Sequence, residues 1–193
     1  LAECINGSIF GPYIGEDAEQ EFLEHKLKPL LNQNWVTHAH ARATKNVLSL
    51  LKTYKLDPVI QFRNLVDLTC SLHDHFINER HINAMQTVFI DDFLNKNKQE
   101  RYDFIIDLVL PWCLKFYCGW MSAIYNNKCH AYVVWYEDFC LDPVSTVQNI
   151  LNFSNLNIPK KETVNKITHV LKTQHTRFNK GIIGRGFSEL TTE

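Results

Sequence analysis

Pro58-Val59-Ile60-Gln61-Phe62-Arg63-Asn64-Leu65-Val66-Asp67-Leu68-Thr69-Cys70-Ser71-Leu72-His73-Asp74-His75-Phe76 changes its period in mid-course. The segment 58–63 is short, rich in β-branched and aromatic residues and opened by a proline, which is the signature of a strand. From Leu65 the apolar residues recur at Leu65, Leu68, Leu72 and Phe76, the spacing of one helix face. The chain therefore runs from a strand directly into a helix, and Arg63 stands at the junction. In sheets built this way, ligands bind beyond the carboxyl ends of the strands.

Working outward, residues 34–38 (Asn-Trp-Val-Thr-His) and 131–136 (Ala-Tyr-Val-Val-Trp-Tyr) read as two further strands. The second is apolar throughout, as suits a central parallel strand covered on both faces. Helical stripes fill the intervals: Val47, Leu50, Leu51 and Tyr54, then Ile82, Met85, Phe89 and Phe93. Residues 102–126 carry Ile105, Leu108, Val109, Trp112, Phe116 and Trp120, with Pro111 expected to kink or restart the helix. Shorter helices are expected near 143–153 and 161–172. Alternation of strand and helix predicts an α/β fold, a parallel β-sheet flanked by helices with right-handed crossovers.

The bulk properties narrow the function. A chain of 193 residues, 45% hydrophobic, can close one sizeable core, so residues 1–193 are read as a single domain. Twenty basic residues oppose twenty-one acidic ones, which gives no overall field toward nucleic acid or an anionic membrane. Any anion must be held locally. The six cysteines lack the spacing of a disulfide scaffold or a CxxC metal pair and read as reduced thiols of a cytoplasmic protein. The longest apolar run, 104–121, is interrupted by Asp107, Pro111, Trp112 and Lys115, and is expected to be a core helix with no membrane span. Residues 1–6 read as a helix already under way, so a signal peptide cannot be judged.

Three residues fall at predicted strand ends: His38, Arg63 and Tyr136. Arg63 adjoins a helix start whose backbone N–H groups suit a phosphate, and Ser71 shares a helix face with Asp67 and adds a neutral donor. Asn179-Lys180-Gly181-Ile182-Ile183-Gly184-Arg185-Gly186 is a glycine-rich loop that can turn its N–H groups onto an anion while Lys180 adds charge. The pairs His38/His40 and His73/His75 carry no spacing of a zinc motif, and no metal is expected.

Taken together these blocks resemble the sulfotransferases that use 3′-phosphoadenosine 5′-phosphosulfate (PAPS), whose fold is similar to that of P-loop nucleotide-binding proteins. Arg63-Asn64, Asp67 and Ser71 look like the family's strand-to-helix block, and the resemblance implies that Arg63 and Ser71 hold the 3′-phosphate. Tyr136-Glu137-Asp138 with Asp142-Pro143 is similar to the family's Tyr-Glu-Asp block, which implies that Tyr136 contacts adenine. Residues 179–184 resemble its Arg-Lys-Gly-x-x-Gly block, which implies cofactor contacts from Asn179, Lys180 and Gly181. Asn179 replaces an Arg there, a loss that Arg185 is available to offset if the loop folds that way. Trp35-Val36-Thr37-His38 looks like the Lys-Thr-His block, which implies that His38 is the general base. Val36 stands in place of a sulfate-contacting Lys, and Arg42 or the phosphosulfate loop would supply the charge. That loop and the first strand are expected upstream of Leu1.

The function so implied is transfer of a sulfuryl group from PAPS to a hydroxyl or amine, with no metal. The acceptor would be a small molecule, carbohydrate or lipid; the oligomeric state is not readable. Two alternatives stand beside it. One is a P-loop kinase of a small molecule with Asp138 on Mg²⁺; the other is a non-catalytic binding module, favoured by Val36 and Asn179.

Overall fold

The structure is a computed structural model, and it describes residues 1–5, 7–15, 20–79, 90–173 and 182–190. Asn179, Lys180 and Gly181 lie outside the described residues, as does most of the expected stripe at 82–89.

In chain order the strands are β1 (Ser8–Ile9), β2 (Tyr13–Ile14), β3 (Glu21–Phe22), β4 (Trp35–Val36), β5 (Val59–Phe62) and β6 (Tyr132–Trp135). The helices are α1 (Ala2–Ile5), α2 (Glu24–Leu27), α3 (Lys45–Tyr54), α4 (Leu65–Glu79), α5 (Ile90–Leu94), α6 (Lys98–Phe104), α7 (Leu110–Tyr125), α8 (Tyr136–Leu141), α9 (Pro143–Phe153), α10 (Lys160–Thr173) and α11 (Arg185–Leu190). β1 pairs with β4 and β5 with β6, both in parallel, while β2 and β3 form an antiparallel ladder. The three predicted strands are present, and the expected strand at 34–38 contracts to Trp35–Val36. The small ladder of β2 and β3 has no counterpart in the sequence reading, because two-residue strands carry no period to detect.

Packing explains why these segments fold as they do. Val47, Leu50 and Leu51 of α3, Ile60 and Phe62 of β5 and Trp120 of α7 share one buried cluster. Thr44 caps α3, its hydroxyl accepting from the Val47 N–H at 3.1 Å. Phe76, Phe93, Ile105 and Val109 form a second cluster that joins α4 to α5 and the turn beyond α6. Cys4 packs with Val147 and Leu151 in a third, which fixes α1 against α9.

The restart expected at Pro111 takes a particular form: the chain widens into a π turn, Ile105–Val109, and resumes as the α-helix α7. The Leu110 N–H reaches back to the Ile105 carbonyl, one residue farther than an α-helix allows, and Pro111 enters in the first turn of α7. Widening relieves the clash a proline ring makes with the carbonyl four residues earlier. Lys98–Tyr125 is consequently one continuous helical run of 28 residues. By length and composition it could cross a membrane, with a mean hydropathy of 1.4 over its most apolar window, contrary to the expectation that no run here reaches that length. Nor is it wholly a core helix, since only 22% of that window is buried. Tyr102, Ile105, Cys113 and Trp120 face inward, while Leu114, Met121 and Tyr125 are exposed.

Candidate functional site

Parallel register sets the first pair of candidate residues side by side. Phe62 lies opposite Trp135, so the residues that follow, Arg63 and Tyr136, leave the two strand tips together. The Arg63 guanidinium carbon sits 4.2 Å from the centre of the Tyr136 ring, a cation–π contact. One residue on, the Asn64 N–H donates to the Glu137 carboxylate at 2.9 Å. The two tips are thus tied twice. Burial, then the Cys140 thiol, pushes the Tyr136 hydroxyl up to about 12, so it stays protonated at neutral pH.

A second aromatic fixes the arginine from its other side. The Tyr117 hydroxyl accepts from the Arg63 N–H and donates to the Arg63 carbonyl, both at 2.8 Å. This satisfies the peptide where the strand ladder has ended. Tyr117 is itself pushed up to about 12, chiefly by burial, and so keeps the proton it donates. Meanwhile the Arg63 Nε is buried and has no hydrogen-bond partner among the described residues.

The helix start differs from the reading that its N–H groups are open to a phosphate. The Asn64 side-chain oxygen accepts from Val66 at 2.9 Å and from Asp67 at 3.3 Å, so those two donors are taken by the cap. Asn is among the best N-cap residues, and here it satisfies two donors of the first turn. Ser71 lies two turns along α4 from Arg63 and is half-buried.

Asp67, between them, is buried at 3% exposure. Its two carboxylate oxygens accept from the Gly186 and Gly184 N–H groups, each at 2.7 Å. Gly184 has a φ of 80°, and a Cβ on Gly186 would come within 2.4 Å of the Val66 carbonyl. Only glycine lets the backbone approach α4 so closely. Arg185, offered above as a replacement for the arginine missing at 179, is turned elsewhere. It donates to Asp74 at 2.7 Å and pairs with Glu189, and Asp74, then Glu189, raise its pKa further. Tyr102 donates to the same Glu189 at 2.9 Å.

His38 follows β4 and is exposed. Its ring meets that of His40 edge-on at 5.3 Å, and His40 meets Trp112 at 6.2 Å. The His40 N–H donates to the Gln20 side chain at 2.6 Å, and the Tyr13 hydroxyl donates to the His38 carbonyl at 3.4 Å. Beside it the Thr37 hydroxyl is buried without a partner among the described residues. One helix touches both halves of the site: α7 carries Trp112 against His40, Tyr117 against Arg63, and Trp120, whose indole donates to the Ala41 carbonyl at 3.1 Å. Five residues of helix separate Trp112 from Tyr117, a rise of about 7.5 Å.

The other histidine pair has different neighbours. His73 is buried against Tyr102 and Phe93, and burial lowers its pKa from the ordinary 6.5. The His75 ring lies tilted beside that of Phe76, with centroids 6.0 Å apart. Among the described residues no three metal-ligating side chains converge. Sequence reasoning missed Tyr117, Gln20 and the partners of Asp67, since each acts across a separation no local pattern spans.

Comparison with known proteins bears on these geometries. No curated protein matches the chain. A crystal structure of the mouse sulfotransferase SULT7A1 complexed with PAP (3′-phosphoadenosine 5′-phosphate) superposes with a TM-score of 0.63 at 14% identity. The superposition covers 97% of this chain and 73% of that one, which shows a shared fold. The sulfotransferase domain family matches residues 30–182, a span that includes His38, Arg63, Ser71 and Tyr136. With well over half of its length matched, the chain belongs to the sulfotransferase family.

Proposed function

We propose that the chain transfers a sulfuryl group from PAPS to a hydroxyl or amine of a small-molecule, carbohydrate or lipid acceptor. The observation that carries this reading is the buried, unpartnered Nε of Arg63 beside the Tyr136 ring at paired strand tips. Leaving such a donor unsatisfied costs about 1–3 kcal/mol, and an anionic ligand would supply the acceptor. The PAP bound in the structurally similar mouse enzyme supports the choice of anion.

PAPS supplies the sulfuryl group and the leaving phosphate when bound. Arg63 and Ser71, on one stripe of α4 and its approach, bind the 3′-phosphate. Tyr136, in cation–π contact with the guanidinium, orients the adenine. Asn179, Lys180 and Gly181 join them on the strength of the glycine-rich motif. His38, exposed at the end of β4, accepts the acceptor's proton at an imidazole nitrogen as the nucleophile attacks. Positioning and charge neutralisation then carry most of the acceleration, as in phosphoryl transfer.

Calorimetric titration of PAP tests the reading. Arg63→Ala is expected to weaken binding about 10- to 100-fold, the worth of a charge-assisted hydrogen-bonded contact. Unchanged affinity would remove Arg63, and with it this proposal.

A further inference from the structure

Asp67 poses an electrostatic puzzle. It stands one helical turn after Arg63 and one before Ser71, so a buried carboxylate sits between two groups read as ligands of a phosphate. A negative charge facing a dianion in that position would oppose binding. The geometry turns it away from that role. Both oxygens are engaged by backbone N–H groups of the C-terminal segment, Gly184 and Gly186, at 2.7 Å each. A carboxylate accepting two short N–H bonds is satisfied locally, and such charge-assisted bonds are about twice as strong as neutral ones.

Three observations converge on the same seam. Gly186 touches the backbone of Val66 and Asp67 so closely that any Cβ would collide. Arg185, between the two glycines, is locked onto Asp74, one turn beyond Cys70 on the same helix. Glu189 then ties α11 to Tyr102 of α6. The segment 182–190 is therefore clamped on α4 at both ends of the stretch that carries Ser71.

We infer that Asp67 is a positioning residue for 3′-phosphate recognition: by clamping Gly184 and Gly186 it fixes the segment 182–190 against α4, which carries Ser71 and starts just after Arg63. The inference rests on the reading of those two residues as 3′-phosphate ligands. It predicts a sign opposite to that of simple electrostatics. Removing a negative charge near a phosphate should tighten binding, whereas releasing the clamp should weaken it.

The test is calorimetry on the whole protein with two probes, PAP and adenosine 5′-phosphate, which lacks the 3′-phosphate. Asp67→Asn keeps the shape but sets an NH₂ group against one of the two N–H donors. It is expected to weaken PAP about tenfold or more and to leave adenosine 5′-phosphate within about twofold, so the preference between them falls. Gly186→Ala, which pushes the segment off α4 without altering a charge, should do the same, and it decides the matter if Asp67→Asn does not fold. PAP binding that is unchanged or tighter, or an equal loss for both nucleotides, overturns the inference. Arg63→Ala separates the two levels. If it lowers the preference for PAP while Asp67→Asn does not, only the clamp fails; if Arg63→Ala leaves the preference intact, the reading beneath it fails as well.

Discussion

His38 is an exposed residue, with the His40 ring edge-on to its own and the Tyr13 hydroxyl on its carbonyl. A general base needs that openness, because the acceptor must reach it. His38→Ala is expected to leave PAP affinity intact and to cut turnover about 10²- to 10⁴-fold, the usual worth of a positioned base. Full activity in a sulfate-transfer assay would take His38 out of the mechanism. At Arg63 the residue type and position made it a candidate for an anion, but its setting was not readable. Tyr136 beside it follows from parallel register, whereas Tyr117 comes from a helix 54 residues away in sequence. Arg185 shows the converse. A glycine-rich loop with an arginine looks like an anion site, yet in the fold that charge is spent on Asp74 and Glu189.

Elements assemble the site by closing seams that local sequence leaves open. α4 is capped by Asn64, so its N-terminal donors at Val66 and Asp67 are occupied from within. α7 supplies the brace: Tyr117 both accepts from and donates to the Arg63 peptide where β5 runs out of ladder partners. Tyr117→Phe removes both bonds and leaves a part-buried N–H and carbonyl unpaired. The expected cost is about 1–3 kcal/mol, seen as a lower urea midpoint with unchanged slope. A change below about 0.5 kcal/mol would mean that water replaces the hydroxyl. α7 alone, Leu110–Tyr125, touches both His40 through Trp112 and Arg63 through Tyr117, and the π turn before Pro111 joins it to α6 without a break.

For the whole molecule the deciding contrast is between two nucleotides. The fold is shared with a sulfotransferase, and ligand linkage offers a direct readout of which anion the folded state prefers. At a PAP concentration 100 times Kd the folded state gains about 2.7 kcal/mol, which for a chain of this size raises Tm by about 5–10 °C. ATP at the same concentration is expected to raise it by less. An equal or larger shift with ATP would favour the small-molecule kinase that uses Asp138.

Several features were decided by the sequence alone: the three strands read at 34–38, 58–63 and 131–136, the helices carrying Val47 to Tyr54 and Leu65 to Phe76, and the candidacy of His38, Arg63, Ser71 and Tyr136. Period and strand-end position are local properties, and a few neighbouring residues suffice to express them. Tertiary structure decided what those side chains meet: the guanidinium over Tyr136, Tyr117 on the Arg63 peptide, Asp67 on two distant glycines, and Arg185 on Asp74 and Glu189. Hydrogen bonds and ion pairs act over about 3 Å regardless of sequence separation, so their partners become defined only once the chain has folded back on itself.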